Sequence, residues 1–286
     1  MGMQVNTNLV ANSAYRALST TQNDLSKSLE KLSTGLRINR AADDAAGLAI
    51  SEGLKSQVGG LTVASRNAQD GISVLQTAEG SLNEVTSILQ RVRDLAVQAG
   101  NDSNSTESRA AITTEVKALA DELVRIGDST NFNGEPLLNG TAGTAGVMSF
   151  QVGAGAGLEN QITVDLTGAG TNIKKLGDDL KLAIVTTDGF ASATAAAGTI
   201  TTVDTAIKAV STSRAELGAV QNRFESVIKN IAVSKENLTA AGSRIRDTDM
   251  ASEMVNYTRA NILSQAGTAM LAQANQSNQG VLQLLR

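Results

Sequence analysis

Apolar residues recur along much of the chain at alternating spacings of three and four positions. This spacing is typical of helices that pack side by side in a left-handed coiled coil. One run places a helical seam at Leu75, Ala78, Leu82, Val85, Leu89, Val92, Ala96 and Ala99. The longest run has seam positions at Val203, Ala206, Val210, Ser213, Leu217, Val220, Phe224, Val227, Ile231, Ser234, Leu238, Ala241 and Ile245. As a single helix it would extend roughly 65 Å, so it needs partner helices to cover its apolar stripe.

Both ends of the chain carry a thinner version of the same pattern. Residues 243–286 predict an Ala- and Gln-rich helix with a thin apolar face at Met254, Ile262, Ala266, Ala269 and Leu271, and residues 1–35 are similar in this respect. Helices gain most of their stability from packing, so these segments would be marginal alone. We therefore expect them to fold against a partner.

Breaks between the helical runs are marked by Gly, Asn and Pro. The sequence GNDSNST at 100–106 predicts the end of one helix and a reversal into the next. Two Asn-Gly pairs flank Pro136 in STNFNGEPLLNG at 129–140, which predicts turns. Beyond this point apolar and polar residues alternate, which predicts two strands. Their apolar positions are Met148, Phe150 and Val152, then Ile162, Val164 and Leu166, with a glycine-rich hairpin turn at 153–157.

These patterns predict a mainly α fold. The first and last thirds are both helical, so we expect an elongated antiparallel coiled coil or helical bundle with a small β-rich insert at 141–199. The aromatic content agrees with thin helical seams, because the chain has 4 Phe, 2 Tyr and no Trp. A thick globular core usually draws much of its bulk from aromatic side chains.

Composition removes several classes of chemistry. The chain has no His and no Cys, which are the usual general base, thiol nucleophile and common zinc and iron ligands. Adjacent carboxylates at 43–44 and 178–179 lack the ligand spacing of a calcium loop. We therefore predict no catalytic residues, no metal and no cofactor. A formal charge of −4 without a basic tract argues against nucleic-acid binding.

No membrane insertion and no cleavable signal peptide are predicted either. No apolar run reaches the length of a membrane span, and the first twenty residues lack a charged segment followed by an apolar core. Taken alone, these features would favour a cytosolic protein.

Several long motifs nevertheless resemble bacterial flagellins. They are LSTGLRINRAADDAAGLAISE at 32–52, QRVRDLAVQAGN at 90–101, TNFNG at 130–134, SRIRDTDMASEMVNYTRANILSQAGTAMLAQANQ at 243–276 and the ending VLQLLR. They occur in the same order as in that family and cover both terminal thirds. Their length and order make the resemblance highly specific.

The resemblance implies a structural subunit that is exported and self-assembles into the helical filament used for swimming. Residues 1–40 and 246–286 would form an inner layer around the filament channel, and 41–140 with 200–245 a helical rod outside it. The insert at 141–199 would project outward. Export would use the flagellar type III machinery, with an export chaperone and an uncleaved polar N-terminal segment. The protein would then be secreted, and it would meet filament cap and hook-junction proteins.

Two groups of polar residues are candidate contact sites by this resemblance. Arg37, Arg40, Asp43 and Asp44 would form a charged hinge with ion pairs between subunits; the alternative is solvated surface charge, which contributes little. Arg91, Leu95 and Glu115 match positions by which some relatives engage a Toll-like innate receptor. The alternative there is an exposed Arg91 and a partly buried Leu95 at the flank of the seam.

Three other functions compete with that of a filament subunit. A flagellar junction protein shares the terminal helices but caps the filament, and the run of flagellin motifs at both ends favours the main subunit. A metallopeptidase insert, found in some relatives, requires a His-Glu-x-x-His motif that a chain without histidine cannot supply. A self-contained coiled-coil adaptor or adhesin would stay monomeric where a flagellin polymerises.

Overall fold

The computed structural model describes residues 8–186, 190 and 192–284. Residues 1–7 of the predicted inner layer and export segment lie outside the described residues, as do the last two of VLQLLR. The described helices are α1 (Leu9–Thr34), α2 (Ala45–Ala99), α3 (Thr106–Ser129), α4 (Ile173–Thr186), α5 (Ala193–Arg246) and α6 (Met250–Leu284). The strands are β1 (Asn131–Phe132), β2 (Glu135–Pro136), β3 (Val147–Gln151) and β4 (Gln161–Asp165). The predicted mainly α fold with a small strand insert is confirmed.

The chain divides into two compact units. The terminal unit comprises Met1–Gln57 and Glu236–Arg286, and the central unit comprises Val58–Lys235. The boundaries between these two units, after Gln57 and after Lys235, differ from the predicted layer boundaries after 40 and 245. The reason is that the start of α2 and the end of α5 join the terminal unit, where Arg246 pairs with Glu52 at 3.0 Å. The assignment of the segments to filament layers stays a prediction.

In the terminal unit, α1 and α6 run antiparallel. The side-chain amide of Asn8 donates to the carbonyl of Ala274 at 3.0 Å, and Leu18 packs over Gly267. Asn8 also caps α1 by accepting the backbone N–H of Ala11 at 2.9 Å, which satisfies one of the free donors at a helix start. The contact strip between the two helices is narrow, and Ala274 is one of its few buried residues.

The segments that follow α1 and α5 pair with each other. Gly35 ends α1 with φ of 72°, a left-handed conformation that glycine adopts without steric cost. Its carbonyl accepts the N–H of Thr248 at 3.0 Å, and the N–H of Arg37 donates to the carbonyl of Arg246 at 2.6 Å. Ile38, in the segment that follows α1, is 2% exposed and packs against Gly47 of α2.

The core of the central unit is built by α2, α3 and α5. Helix α5 runs antiparallel to α2, because Phe224 packs over Gly71 while Asp204 pairs with Arg93 at 2.6 Å. Helix α3 folds back along α2 after the turn at 100–105, and the hydroxyl of Thr130 donates to that of Ser81 at 3.0 Å. The fully buried core side chains include Leu75, Leu82, Leu89, Leu123, Leu137, Leu138, Leu166, Ile173, Phe190 and Phe224.

The insert contains a hairpin and a helix. Strands β3 and β4 pair antiparallel with Phe150 opposite Ile162, and the glycine-rich residues 153–157 lie in the connection, as predicted. The second half of the predicted insert is helical instead. Helix α4 packs along α3 through Lys174–Asp128 at 3.0 Å, and α5 begins at Ala193. Apolar residues at 173, 176, 180 and 184 follow a helical period. The prediction instead extended the β-rich assignment of the preceding strands across this segment.

Candidate functional site

The terminal helices expose an unusual number of large apolar side chains. On α1 these are Leu9, Val10, Tyr15 and Leu29, and on α6 they are Met250, Met254, Val255, Ile262, Leu263 and Met270. Their exposed fractions run from 48% to 64%. Single exposed apolar residues are ordinary on protein surfaces, whereas contiguous ones mark interaction sites. The two helices therefore present apolar faces that their own pairing leaves uncovered.

Two open grooves lie on these faces. One, of about 450 Å³, runs along α6 and is lined by Met254, Val255, Ile262 and Leu263 together with Thr258 and Arg259. The other, of about 570 Å³, lies between α1 and α6 and includes Val10, Leu18 and Met270. Grooves of this kind accept the apolar face of another helix.

A third groove between α1 and α6 is charged. Asp24, Lys27, Lys31, Glu253 and Arg259 line a space of about 320 Å³. Charges of both signs stand close together at a partly open surface. Contacts made here by a partner would weaken as salt concentration rises.

The predicted hinge residues lie together in the connection between α1 and α2, where the two arginines have partners within the chain. The guanidinium of Arg37 donates to the carbonyl of Ile245 at 2.6 Å. The guanidinium of Arg40 pairs with the carboxylate of Glu30 at 3.0 Å. Both arginine side chains are exposed, so they also remain accessible to other molecules.

The two carboxylates of the hinge organise the local backbone. The Asp43 carboxylate accepts the N–H groups of Arg40 at 2.9 Å and Asn39 at 3.1 Å. These two backbone donors hold the pKa of Asp43 below its usual value of 3.8. The Asp44 carboxylate accepts the N–H of Gly47 at 2.9 Å, so it caps the start of α2. Each of the four hinge side chains therefore has a role within its own chain.

The residues matched to receptor recognition divide into a surface pair and a core residue. Arg91 on α2 and Glu115 on α3 form an exposed ion pair at 2.6 Å. Leu95 is 3% exposed and belongs to the core of the central unit. The interpretation of Leu95 as a partly buried flank residue therefore needs correction, because its side chain is buried within the hydrophobic core of the central unit. Only the two charged residues are on the surface.

The predicted seam residues differ in burial. The buried ones are Leu75, Leu82, Val85, Leu89, Leu217, Phe224 and Ile231, whereas Val220, Val227 and Leu238 are half-buried. The ring of Phe224 meets that of Phe150 edge to face, with centroids 5.5 Å apart. The insert hairpin thus packs on the helical core of the same unit.

Sequence reasoning missed the ion pairs that join distant helices. Arg93 binds Asp204 at 2.6 Å, and this carboxylate raises the pKa of the Arg93 guanidinium. Arg246 binds Glu52 at 3.0 Å across 194 positions of sequence. Nothing local distinguishes these residues from solvated surface charges, so only the antiparallel register of α2 and α5 could have identified them.

The described residues contain no group of three or more carboxylates that could hold a metal ion. Within the same ranges, no helix has the length and hydrophobicity needed to cross a membrane. The features that the structure does offer are apolar faces, grooves and exposed ion pairs. Their chemistry is that of protein association.

Two family models match the chain. One describes the bacterial flagellin N-terminal helical region and matches residues 5–144; the other describes the C-terminal helical region and matches 200–285. Together they cover well over half of the chain and leave out most of the insert.

Full-length relatives are similar throughout. A flagellin of Halalkalibacterium halodurans is 51% identical over 284 residues, covering 99% of this chain and 100% of the relative. The flagellar filament 33 kDa core protein of Treponema phagedenis is 46% identical, with the same coverage. A putative flagellar hook-associated protein from Vibrio parahaemolyticus has the same fold, with a TM-score of 0.59 at 16% identity over 72% of this chain and 100% of that one.

Proposed function

Because this chain belongs to the bacterial flagellin family of structural filament proteins, we propose that its terminal helices drive polymerisation. The role predicted from the sequence, a non-enzymatic subunit of the filament used for swimming, is confirmed. The proposal concerns which surfaces join the subunits. It assigns that task to the exposed apolar faces of α1 and α6.

The uncovered apolar surface on α6 carries this proposal. Ile262 and Leu263 are 61% and 52% exposed, and the adjacent Met254 is 51% exposed. Covering such side chains contributes about 1–2 kcal/mol each. Summed over several residues per subunit, this favours adding the subunit to a filament over leaving its apolar faces in water. Neighbouring copies of the same chain supply a matching surface at every position of a helical array.

The small number of buried residues in the terminal helices also suits export. Only Leu18 and Ser28 of α1 are buried, so unfolding this helix exposes little new apolar surface. A subunit with loosely held ends can pass through the flagellar type III machinery as an extended chain. We propose that an export chaperone covers the apolar face of α6 before secretion, and that the filament outside the cell is the destination.

Filament cap and hook-junction proteins are proposed to contact the same apolar faces. Each of these proteins would occupy a position at a filament end where another copy of this chain would otherwise bind. The hinge residues Arg37, Arg40, Asp43 and Asp44 are proposed to contact neighbouring subunits through their exposed sides. This second role would be additional to their bonds within the chain.

A Toll-like receptor is a proposed partner at the surface pair Arg91 and Glu115. A planar guanidinium held by a carboxylate offers directed hydrogen bonds to a polar partner. Substituting either residue should lower activation of a receptor reporter by monomeric protein. Unchanged activation by both variants would reject this partner surface.

Seeded polymerisation tests the assembly proposal. The full chain should elongate short filament fragments or polymerise in precipitating salt, and electron microscopy should show uniform filaments. A variant that lacks residues 250–286 should form none, while circular dichroism and denaturant unfolding show that its central unit stays folded. Filaments from the truncated variant would contradict the proposal. A full chain that stays monomeric throughout would favour a junction protein or an adaptor.

A further inference from the structure

Three of the six methionines of the chain lie on one ridge of α6. Residues four positions apart form continuous ridges on a helix surface. The ridge consists of Met250, Met254, Thr258, Ile262, Ala266 and Met270. Its methionines are 48%, 51% and 62% exposed. Peroxides and other oxidants in solution can therefore reach all three sulfur atoms in the free subunit.

Helix α1 leaves the three methionines of this ridge uncovered, although Met270 borders the open groove between α1 and α6. Among residues 250–276 of α6, the buried ones are Ala260 and Ala274, which belong to the strip that faces α1. Met148 makes a useful contrast, because it is half-buried in β3 and packs against the core of the central unit. Exposure of methionine is therefore a property of α6 within the described residues, and not of the whole chain.

We propose that Met250, Met254 and Met270 are oxidation sites through which hydroperoxides block assembly. The thioether sulfur attacks the terminal oxygen of the hydroperoxide and the O–O bond breaks. The proton on the transferred oxygen passes to the leaving oxygen, so a sulfoxide forms and an alcohol leaves, or water when the oxidant is hydrogen peroxide. The sulfur loses two electrons and the peroxide gains them. The product side chain is polar and chiral, and methionine sulfoxide reductases reverse the change.

The inference rests on the proposed function of the α6 face. A sulfoxide that enters an apolar contact must lose its hydration without gaining a hydrogen-bond donor. Oxidised subunits should therefore add poorly to a filament. Subunits already in a filament should be protected, because neighbours cover the same sulfur atoms.

The experiment compares the full chain with M250L/M254L/M270L and with M148L. Leucine keeps the volume and helix propensity of methionine and cannot be oxidised. Each monomer is treated with hydrogen peroxide, its sulfoxides are mapped by peptide mass spectrometry, and its elongation rate on untreated filament seeds is measured. A second sample of treated wild type is incubated with methionine sulfoxide reductases A and B.

Peroxide should lower the elongation rate of the wild type and of M148L by at least about tenfold, and reductase treatment should restore it. The peroxide-treated triple variant should elongate at the same rate as its own untreated sample. The inference is overturned if wild type carrying sulfoxides at all three positions elongates normally, or if the treated triple variant is equally inhibited. If the untreated triple variant fails to elongate, the three single leucine variants are tested instead. The inference is then overturned if none of them is less sensitive to peroxide than the wild type. Untreated wild type that does not elongate contradicts the proposed function itself.

Discussion

Replacing Ile262 by alanine separates assembly from folding. Ile262 lies on the exposed face of α6 and is 61% exposed. Alanine has the higher helix propensity, so the change leaves the helix of the free subunit intact. What it removes is the apolar surface that a neighbouring subunit is proposed to cover.

The size of the effect follows from that exposed fraction. Burying a whole isoleucine side chain contributes about 1.5–3 kcal/mol. Covering the exposed 61% of Ile262 should then contribute about 1–2 kcal/mol. A change of this size corresponds to a factor of about 5–30 in an equilibrium constant. The critical concentration for polymerisation of Ile262→Ala should rise by that factor.

Sedimentation of polymerised protein measures the critical concentration, and Leu158→Ala is the matched control. Leu158 is 83% exposed and lies in the connection between β3 and β4, outside the proposed contact faces. Its replacement should change the critical concentration by less than about twofold. Equal shifts for the two variants, or no shift for Ile262→Ala, would refute the reasoning.

Three further predictions concern the folded subunit. Phe224→Ala should lower the free energy of unfolding by about 3–5 kcal/mol in denaturant titrations, because the ring is fully buried; Phe150→Ala should cost less because that ring is half-buried, and equal losses would contradict this. A double-mutant cycle on Arg91 and Glu115 should give a coupling below about 1 kcal/mol that disappears at high salt, since both side chains are exposed; a coupling that persists in salt would count against it. Asp43 has a pKa below 3.8 in the folded chain, so its contribution is present above its unfolded pKa and is lost as pH falls through the folded value. Acid should therefore destabilise the wild type more than Asp43→Asn, and parallel stability curves against pH would disprove this.

The helical framework was predictable because it depends on a period that is visible in the sequence. Leu82 and Leu89 of the seam are fully buried, since positions three and four apart fall on one face of a helix. The Asn133-Gly134 turn was equally accessible. Both residues have positive φ, 52° and 84°, which the Asn-Gly pair adopts more readily than other pairs.

The candidate sites were harder to predict because they depend on register between distant segments. The cap formed by Asp44 is local, yet the bond from Arg37 to Ile245 spans 208 positions. The burial of Leu95 depends on how closely neighbouring helices cover one flank of α2. The spacing of apolar residues assigns Leu95 to a face of helix α2. It does not say how many positions on each side of that face the neighbouring helices cover.

The opposite case is the exposed face of α6. Its apolar residues, such as Val255 and Ile262, look like those of an ordinary core helix in the sequence. In the structure, the contact strip between α1 and α6 is too narrow to cover these residues. That excess of apolar surface is visible only once the pairing partner is known.

A helical reconstruction of the filament would test the central claim most directly, namely that neighbouring copies cover the apolar face of α6. We predict that Met254, Ile262 and Leu263 lie within about 4.5 Å of apolar atoms from another copy of the chain. A reconstruction in which these three side chains face solvent, while subunits join only through the central unit, would contradict the claim.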